Sequence, residues 1–572
     1  MIKTSVFCVR LVTLGLVAGL CAFGTAWSQP GTVIKHQKIS ETVGNFTGVL
    51  DLSDEFGGSV ATLGDLDGPG PSVVALAVGC YGDDDGGNDR GAVYVLFLDS
   101  NGAVLSHQKI SDTQGNFTAT MRNFDEFGSS VASLGDLDGP GPSAVALAVG
   151  AAFDDDGGTN GDRGSVYILF LNSAGSVLSY QKISDTQGNF TPTLDVADEF
   201  GGAVAWLGDL DGPGPSVATL AVGASGDDDG GVTDPATGRG AAYLLFLSSN
   251  GTILSHQKIS STSGGFAGLL DVEDEFAVHF ADLGDLDGPG PSVAALVVGA
   301  AGDDDGGLDR GAFYILFLDN TGNVLSQRKI SDTQGNFTAP LEDADDFGSS
   351  MAALGDLDGS GPSVATLAVG APRDDDGGLV GANRGALYLF YLDRAGNILS
   401  EQTISDTQSA FSGILDDGDQ FGAAMTSLGD IDGDGDPRQT VVSGTPFDDD
   451  GGGNQGSIYV LFLAGGAVTG VGDPQLDIAA HGLGQARPNP FRPETTIPFG
   501  IKESARVRID ICDIHGRIVR KLVDGTFDSG QHDASWDGSA DSGRRLPAGA
   551  YFYRMSVNGR VETPARKTVL LK

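Results

Sequence analysis

The chain has 572 residues, a net charge of −44 and 89 glycines. A surface that negative repels nucleic acid phosphates and anionic lipid, so neither is expected as a partner. Short β-branched and aromatic runs between Gly/Asp/Pro clusters predict an all-β chain of many strands joined by turns.

Residues 1–28 read as an export signal. Lys3 and Arg10 lie in the charged segment, Leu11 to Phe23 is apolar, and Ala26-Trp27-Ser28 offers a small-x-small cleavage site. Leu20 stands where a lipoprotein would need a small residue before Cys21, which argues against lipid attachment there. No later run approaches the roughly 20 apolar residues of a membrane span. The mature chain is therefore expected to be exported, soluble and monomeric. Cys8 and Cys21 leave with the signal and Cys80 and Cys512 fall in separate segments, so no disulfide is expected.

The next stretch, 29–466, is dominated by a repeat, which decides the architecture. Asp-Glu-Phe-Gly or a near variant recurs with its Phe at Phe56, Phe127, Phe200, Phe276, Phe347 and Phe421, at intervals of 71, 73, 76, 71 and 74 residues. Each unit then runs through variants of LGDLDGPGP, VALAVGA, DDDGG, GAVYVLFL and VLSHQKI. That makes four strand-like runs per unit, each bounded by Gly, Pro, Asp or Asn. The second run is apolar on both faces and should be buried between neighbours, while the fourth alternates polar residues as an outer edge does. Six such units predict a six-bladed β-propeller. Val33 to Ser40 is a fourth run with no predecessors, and Gly456 to Leu463 is a third run with no successor. Docking the first beside the second closes the ring.

The same residues resemble FG-GAP repeats, the units of the integrin α-subunit propeller; unit one reads FGGSVATLGDLDGPGPSVVALAVG from Phe56 to Gly79. In that family the Asp-x-Asx-x-Asp-Gly turn binds Ca²⁺, because a hard cation wants several oxygen ligands on a tight turn. Carried over, the first and third ligand positions are Asp65 and Asp67, Asp136 and Asp138, Asp209 and Asp211, Asp285 and Asp287, Asp356 and Asp358, and Asp430 and Asp432. The fifth position departs from the pattern: it is Pro69, Pro140, Pro213, Pro289 and Ser360 in units one to five. Only unit six keeps a carboxylate there, Asp434, and adds Asp436. Ca²⁺ is therefore expected in the sixth turn, and rigid proline turns in the others.

Strand alternation puts the DDDGG loops and the long unit-to-unit crossings on one rim. Recognition sits on loops held by a rigid scaffold, so that acidic rim is the candidate binding face, with each triplet by itself readable as a solvated Asx-Gly turn. Residues 29–484 carry 67 acidic and 16 basic residues, so cations or a basic partner complement them.

After a Gly/Ala-rich linker at 467–486, residues 487–572 turn basic, with 15 Lys/Arg against 10 Asp/Glu. PNPF, Asp513 to Arg517 as D-x-x-GR, Trp536-Asp537-Gly538 and Gly549 to Tyr553 as GAYFY resemble the FlgD-like Ig domain and related C-terminal sorting domains of bacterial type IX secretion. The resemblance implies a small β-sandwich used for sorting or attachment, with Trp536 and Tyr551 to Tyr553 as core and strand residues.

Seven histidines show no metal-binding spacing, and there is no nucleophile elbow or P-loop. The chain is thus expected to be a secreted or surface-displayed adhesion scaffold recognising an extracellular protein or glycan, not an enzyme. The rival is a hydrolase or lyase at the central channel, which would need one blade with unusual residues at the axis. His279, in unit four, is the nearest such residue.

Overall fold

The computed structural model describes residues 29–572 apart from 69, 156–160, 213, 229–237, 360–361, 376–380, 434–438, 466–481, 484–485, 487–494, 503, 513–516, 543, 547–548, 559, 562–565 and 571–572. The export-signal reading of 1–28 and the proposed ligands Asp434 and Asp436 lie outside the described residues.

The chain is all-β. Six four-stranded antiparallel sheets form the blades. Blade one runs from the innermost strand Ser59–Gly64 through Val74–Cys80 and Ala92–Leu98 to the outermost Val104–Ile110. Its second and third strands are buried at every residue, because each blade face packs on a neighbouring blade. The innermost strands of blades two to six are Phe127–Ser133, Ala203–Trp206, Phe276–Asp282, Ser350–Ala353 and Met425–Gly429. Each touches the next, and that of blade six touches that of blade one, so the sheets form a closed ring around a channel.

Closure is made by the two ends of the repeat region. Val33–Ile39 pairs antiparallel with Ser457–Leu463, from Val33 opposite Leu463 to Ile39 opposite Ile458. The Gly31 N–H donates to the Ala464 carbonyl at 2.8 Å, and the Ala464 N–H to that of Thr32 at 2.8 Å. Lys38 carries an ammonium to Asp448 and to Asp450, the latter at 2.5 Å. The seam therefore repeats inside blade six the pairing that other blades make within one unit.

Apolar clusters fill the wedges between blades. Each marker Phe is fully buried in one of them; Phe56 stacks on Phe46 with centroids 5.0 Å apart. The glycine after it has positive φ, 99° at Gly57, and a Cβ there would collide with the Ser457 carbonyl. Unit four alone places Ala277 at this point, at φ 75°, in a region costly for a residue with a Cβ.

The C-terminal segment holds a three-stranded sheet (Gly482–Leu483, Thr495–Ile501, Gly530–Trp536) and a five-stranded one built on Ala505–Cys512 and Gly549–Val557. Trp536, Tyr551 and Tyr553 lie in its core. Leu483 and Ala486, placed in the linker by composition, belong to that core, and the Ala486 N–H donates to the Tyr553 hydroxyl at 2.7 Å. The folded segment therefore begins before Arg487: two apolar residues in a Gly/Ala-rich run suffice to add an edge strand. Cys80 and Cys512 are both buried, and neither is in a disulfide.

Candidate functional site: the acidic rim and the channel mouth

The loop between the second and third strands of a blade and the crossing to the next blade share one rim, as alternation requires. In blade one Arg90 ties them together, donating to Asp112 at 2.7 Å and to Asn123 at 3.2 Å. Arg310 repeats the clamp on Asp332 and Asp343, and Arg384 on Asp406 and Asp417.

The acidic triplets are less open than their sequence suggests. The first aspartate of each is buried, and in five blades a lysine from the outermost strand reaches it: Lys109 to Asp83 at 2.5 Å, Lys182 to Asp154 at 2.7 Å, Lys258 to Asp227 at 2.8 Å, Lys329 to Asp303 at 2.5 Å, and Lys38 to Asp448. Each ammonium also lies over a tyrosine ring, as Lys109 does over Tyr94 at 5.4 Å. Desolvation raises Asp83 above the usual carboxylate range although Lys109 opposes it. Burial would also raise Asp85, but hydrogen bonds from Lys109, Gln114 and Ser111 hold it low. Neither a solvated turn nor a fully presented acid describes the triplet: part of its charge is spent on an internal ion pair. In blade five Thr403 occupies the lysine position, and Tyr388 donates to Asp374 at 2.5 Å.

Another set of acids lines the channel on this rim, and sequence reasoning gave it no role. The second residue of each marker, Glu55, Glu126, Glu199, Glu275, Asp346 and Gln420, has φ between 53° and 58°. Such backbone is uncommon outside glycine, yet it recurs in every blade. Glu199, Glu275 and Asp346 line one cavity of about 350 Å³ with Arg373. The ring is electrostatically continuous: Glu126 senses both Glu55 and Glu199, and Glu275 senses Asp346 and Glu199. Burial first and these neighbours second raise Glu126 to about 8 and Glu275 to about 7. Tyr81 donates to Glu55, Ser225 to Glu199 at 3.0 Å, and Arg373 to Asp346 at 2.8 Å. Among the described residues Glu126 and Glu275 have no side-chain partner. The signal that could have found the ring was the acid itself, retained in five of six markers beside a Phe that packing alone would explain.

The preceding marker aspartate is structural. Asp54 accepts the Asp51 N–H at 2.8 Å and is buried; desolvation raises it to about 7.

The Asp-x-Asp turns lie on the opposite rim. The structure brings Asp65 against Asp67, Asp136 against Asp138, Asp209 against Asp211 and Asp285 against Asp287, and in each pair burial and then the neighbouring carboxylate raise the first acid. In units one to five a serine hydroxyl donates to the third-position aspartate: Ser72 to Asp67, Ser143 to Asp138, Ser216 to Asp211, Ser292 to Asp287 and Ser363 to Asp358. These turns thus satisfy a carboxylate internally and offer few further oxygens, a poor match to the six to eight that Ca²⁺ takes. Unit six has Pro437 where the serine would be. There Asp430 accepts the Gly433 N–H at 2.9 Å, and Asp432 follows on the same turn.

Residues 493–560 match the FlgD Ig-like domain family, which places that domain at the C-terminal end of a six-bladed propeller. No curated protein matches the chain. Among solved structures it is similar to PorZ, a surface component of the type IX secretion system of Porphyromonas gingivalis, at 11% identity and TM-score 0.31, covering 87% of this chain and 58% of that one. An ancestral GH74 enzyme aligns at 14% identity and TM-score 0.30, over 89% of this chain and 50% of its own. A family 43 arabinoxylan arabinofuranohydrolase from Bacillus subtilis aligns at 11% and 0.28, over 93% and 98%. Scores this low bear on neither activity nor ligand.

Proposed function

We propose that the chain is an exported bacterial surface protein whose FG-GAP-type propeller is an adhesion or scaffold module, with its FlgD-type segment serving type IX sorting or attachment. The observation that carries the binding reading is the axial ring of carboxylates on the long-looped rim. Its unpaired members Glu126 and Glu275 are held at the mouth by backbone that local preference disfavours. A basic loop of an extracellular protein complements that ring, since a cation brought against these acids favours the ionised forms that burial disfavours. Ca²⁺ is assigned to the sixth turn, through Asp430 and Asp432 with Asp434 and Asp436, as a structural ion.

The test is a binding screen of the mature chain against matrix proteins and glycans, with and without Ca²⁺, repeated with Glu126→Gln/Glu275→Gln. The reading expects a basic protein ligand whose affinity falls with salt and with the double substitution. A ligand indifferent to both would refute the rim as its site. Catalysis at the channel is the second reading, because His279 departs from the repeat and lines the channel. A turnover assay on the glycan panel decides it, with His279→Ala as the control.

A further inference from the structure

The channel end beside the Asp-x-Asp turns holds a second cavity, of about 460 Å³, lined by the innermost strands of all six blades. That volume lies in the ordinary range of small-molecule sites. The repeat should make this wall nearly uniform, and at one position it departs most in size and polarity. The residues there are Thr62, Ser133, Trp206, Asp282, Ala353 and Ser427.

Trp206 is 45% exposed. A large aromatic ring left uncovered where other blades carry Ser, Thr or Ala adds nothing to the core. It leans across the turn of blade two, where a Cβ on Gly135 would stand 3.9 Å from the indole. Asp282 occupies the same position on blade four. Phe280, two residues earlier and so on the same strand face, packs between blades three and four, which turns Asp282 toward blade three, whereas Val204 packs between blades two and three and turns the indole toward blade two; the two groups meet in the cavity that both line. One Asp282 oxygen accepts the Gly284 N–H at 2.8 Å, and among the described residues the other has no partner. Burial raises this carboxyl above its usual range, as expected of an acid without a counter-ion. His279 supplies no charge: its Nδ1 accepts the Met351 N–H at 3.1 Å, and desolvation lowers its pKa to about 4.

Among the described residues no lysine or arginine lines the cavity, and its rim glycines, Gly64 and Gly135, lead directly into the acidic turns at Asp65 and Asp136. An aromatic face, a desolvated carboxylate without a counter-ion and an acidic mouth are together the complement of a compact organic cation.

We propose that this end of the channel binds an ammonium group, which stacks on Trp206 and pairs with Asp282. The group could belong to a small quaternary amine or to a lysine side chain of a peptide. This site is separate from the carboxylate ring at the other rim and does not depend on it.

Choline and an N-acetylated, amidated lysine serve as probes of the two sources, with the uncharged carbon isostere of choline and glucose as controls. The readout is tryptophan fluorescence of the mature chain, in which the other tryptophan, Trp536, is buried in the C-terminal core, together with calorimetry for variants that lack the indole. Trp206→Ser and Asp282→Ser install the residue that Ser133 and Ser427 already supply in other blades, so the fold should tolerate them. Saturable binding of at least one cation is expected, with about tenfold loss of affinity in Trp206→Ser, the size of one good cation–π contact, and a comparable loss in Asp282→Ser from the missing counter-charge. Glu126→Gln/Glu275→Gln should leave it unchanged. Binding of neither cation, equal binding of the uncharged isostere, or unchanged affinity in both variants would overturn the proposal. Preference for glucose would reassign the cavity to a neutral sugar.

Discussion

Deleting residues 29–41 removes the strand that closes the ring, and the groups this strand buries and pairs set the cost. Ile39 is fully buried and Val33 nearly so, and losing each from the core costs about 1.5–3 kcal/mol. Asp448, 3% exposed, loses the Lys38 ammonium, and stranding one partner of a buried pair costs about 3–5 kcal/mol. The sum approaches the roughly 5–15 kcal/mol of a whole domain. The deletion also bares Ser457–Leu463 as a long apolar edge, which invites aggregation. The assay is size-exclusion chromatography with thermal unfolding, beside Lys38→Met and Lys109→Met as controls. Both point variants should lose about 3–5 kcal/mol and stay monomeric, because each strands a buried aspartate, Asp448 or Asp83, without opening an edge. The deletion should shift the chain to large species. A monomeric deletion variant with an unchanged Tm would refute the closure argument.

Three further outcomes follow from the packing and charge of the fold. Asp54, Asp125, Asp198, Asp345 and Asp419 are raised to about 7 and Glu126 to about 8, chiefly by burial, so the folded chain holds protons that the unfolded chain releases near pH 4. That stabilisation is complete below the unfolded pKa and is lost as pH rises through about 7 to 8, so Tm should be higher at about pH 5.5 than at about pH 8; a flat or opposite profile would contradict the burial of these acids. Ca²⁺ should raise Tm through one tight site, by the equivalent of about 2.7 kcal/mol at a hundredfold excess over Kd, and Asp430→Asn/Asp432→Asn should remove most of the rise. Calorimetry finding six equal sites, or none, would count against the sixth turn. Ending the chain at Gly465 should leave the propeller's Tm intact while surface display is lost, since the two segments have separate cores; normal display would remove the sorting role.

The blades and their closure were legible because the repeat fixes them many times over, and the orphan run at Val33 could be completed only by the orphan at Leu463. The charged rim was legible as a surface but not as a network. Asp83 and Lys109 look like two solvated charges until the strands bring them together over Tyr94. Glu126 was hidden for another reason: its place at the axis depends on a left-handed backbone turn, which a marker read only for its Phe does not disclose. Trp206 was overlooked because one substitution among six copies looks like drift until its ring is seen uncovered in the channel.

The most direct test of the binding account is a hydrogen-exchange footprint of the propeller with a partner recovered from the screen. The account predicts protection of the Asp84 to Arg90 and Thr113 to Glu126 loops and their counterparts in other blades, centred on the carboxylate ring and lost in Glu126→Gln/Glu275→Gln. Protection confined to the outermost strands, or spread evenly over both rims, would contradict it.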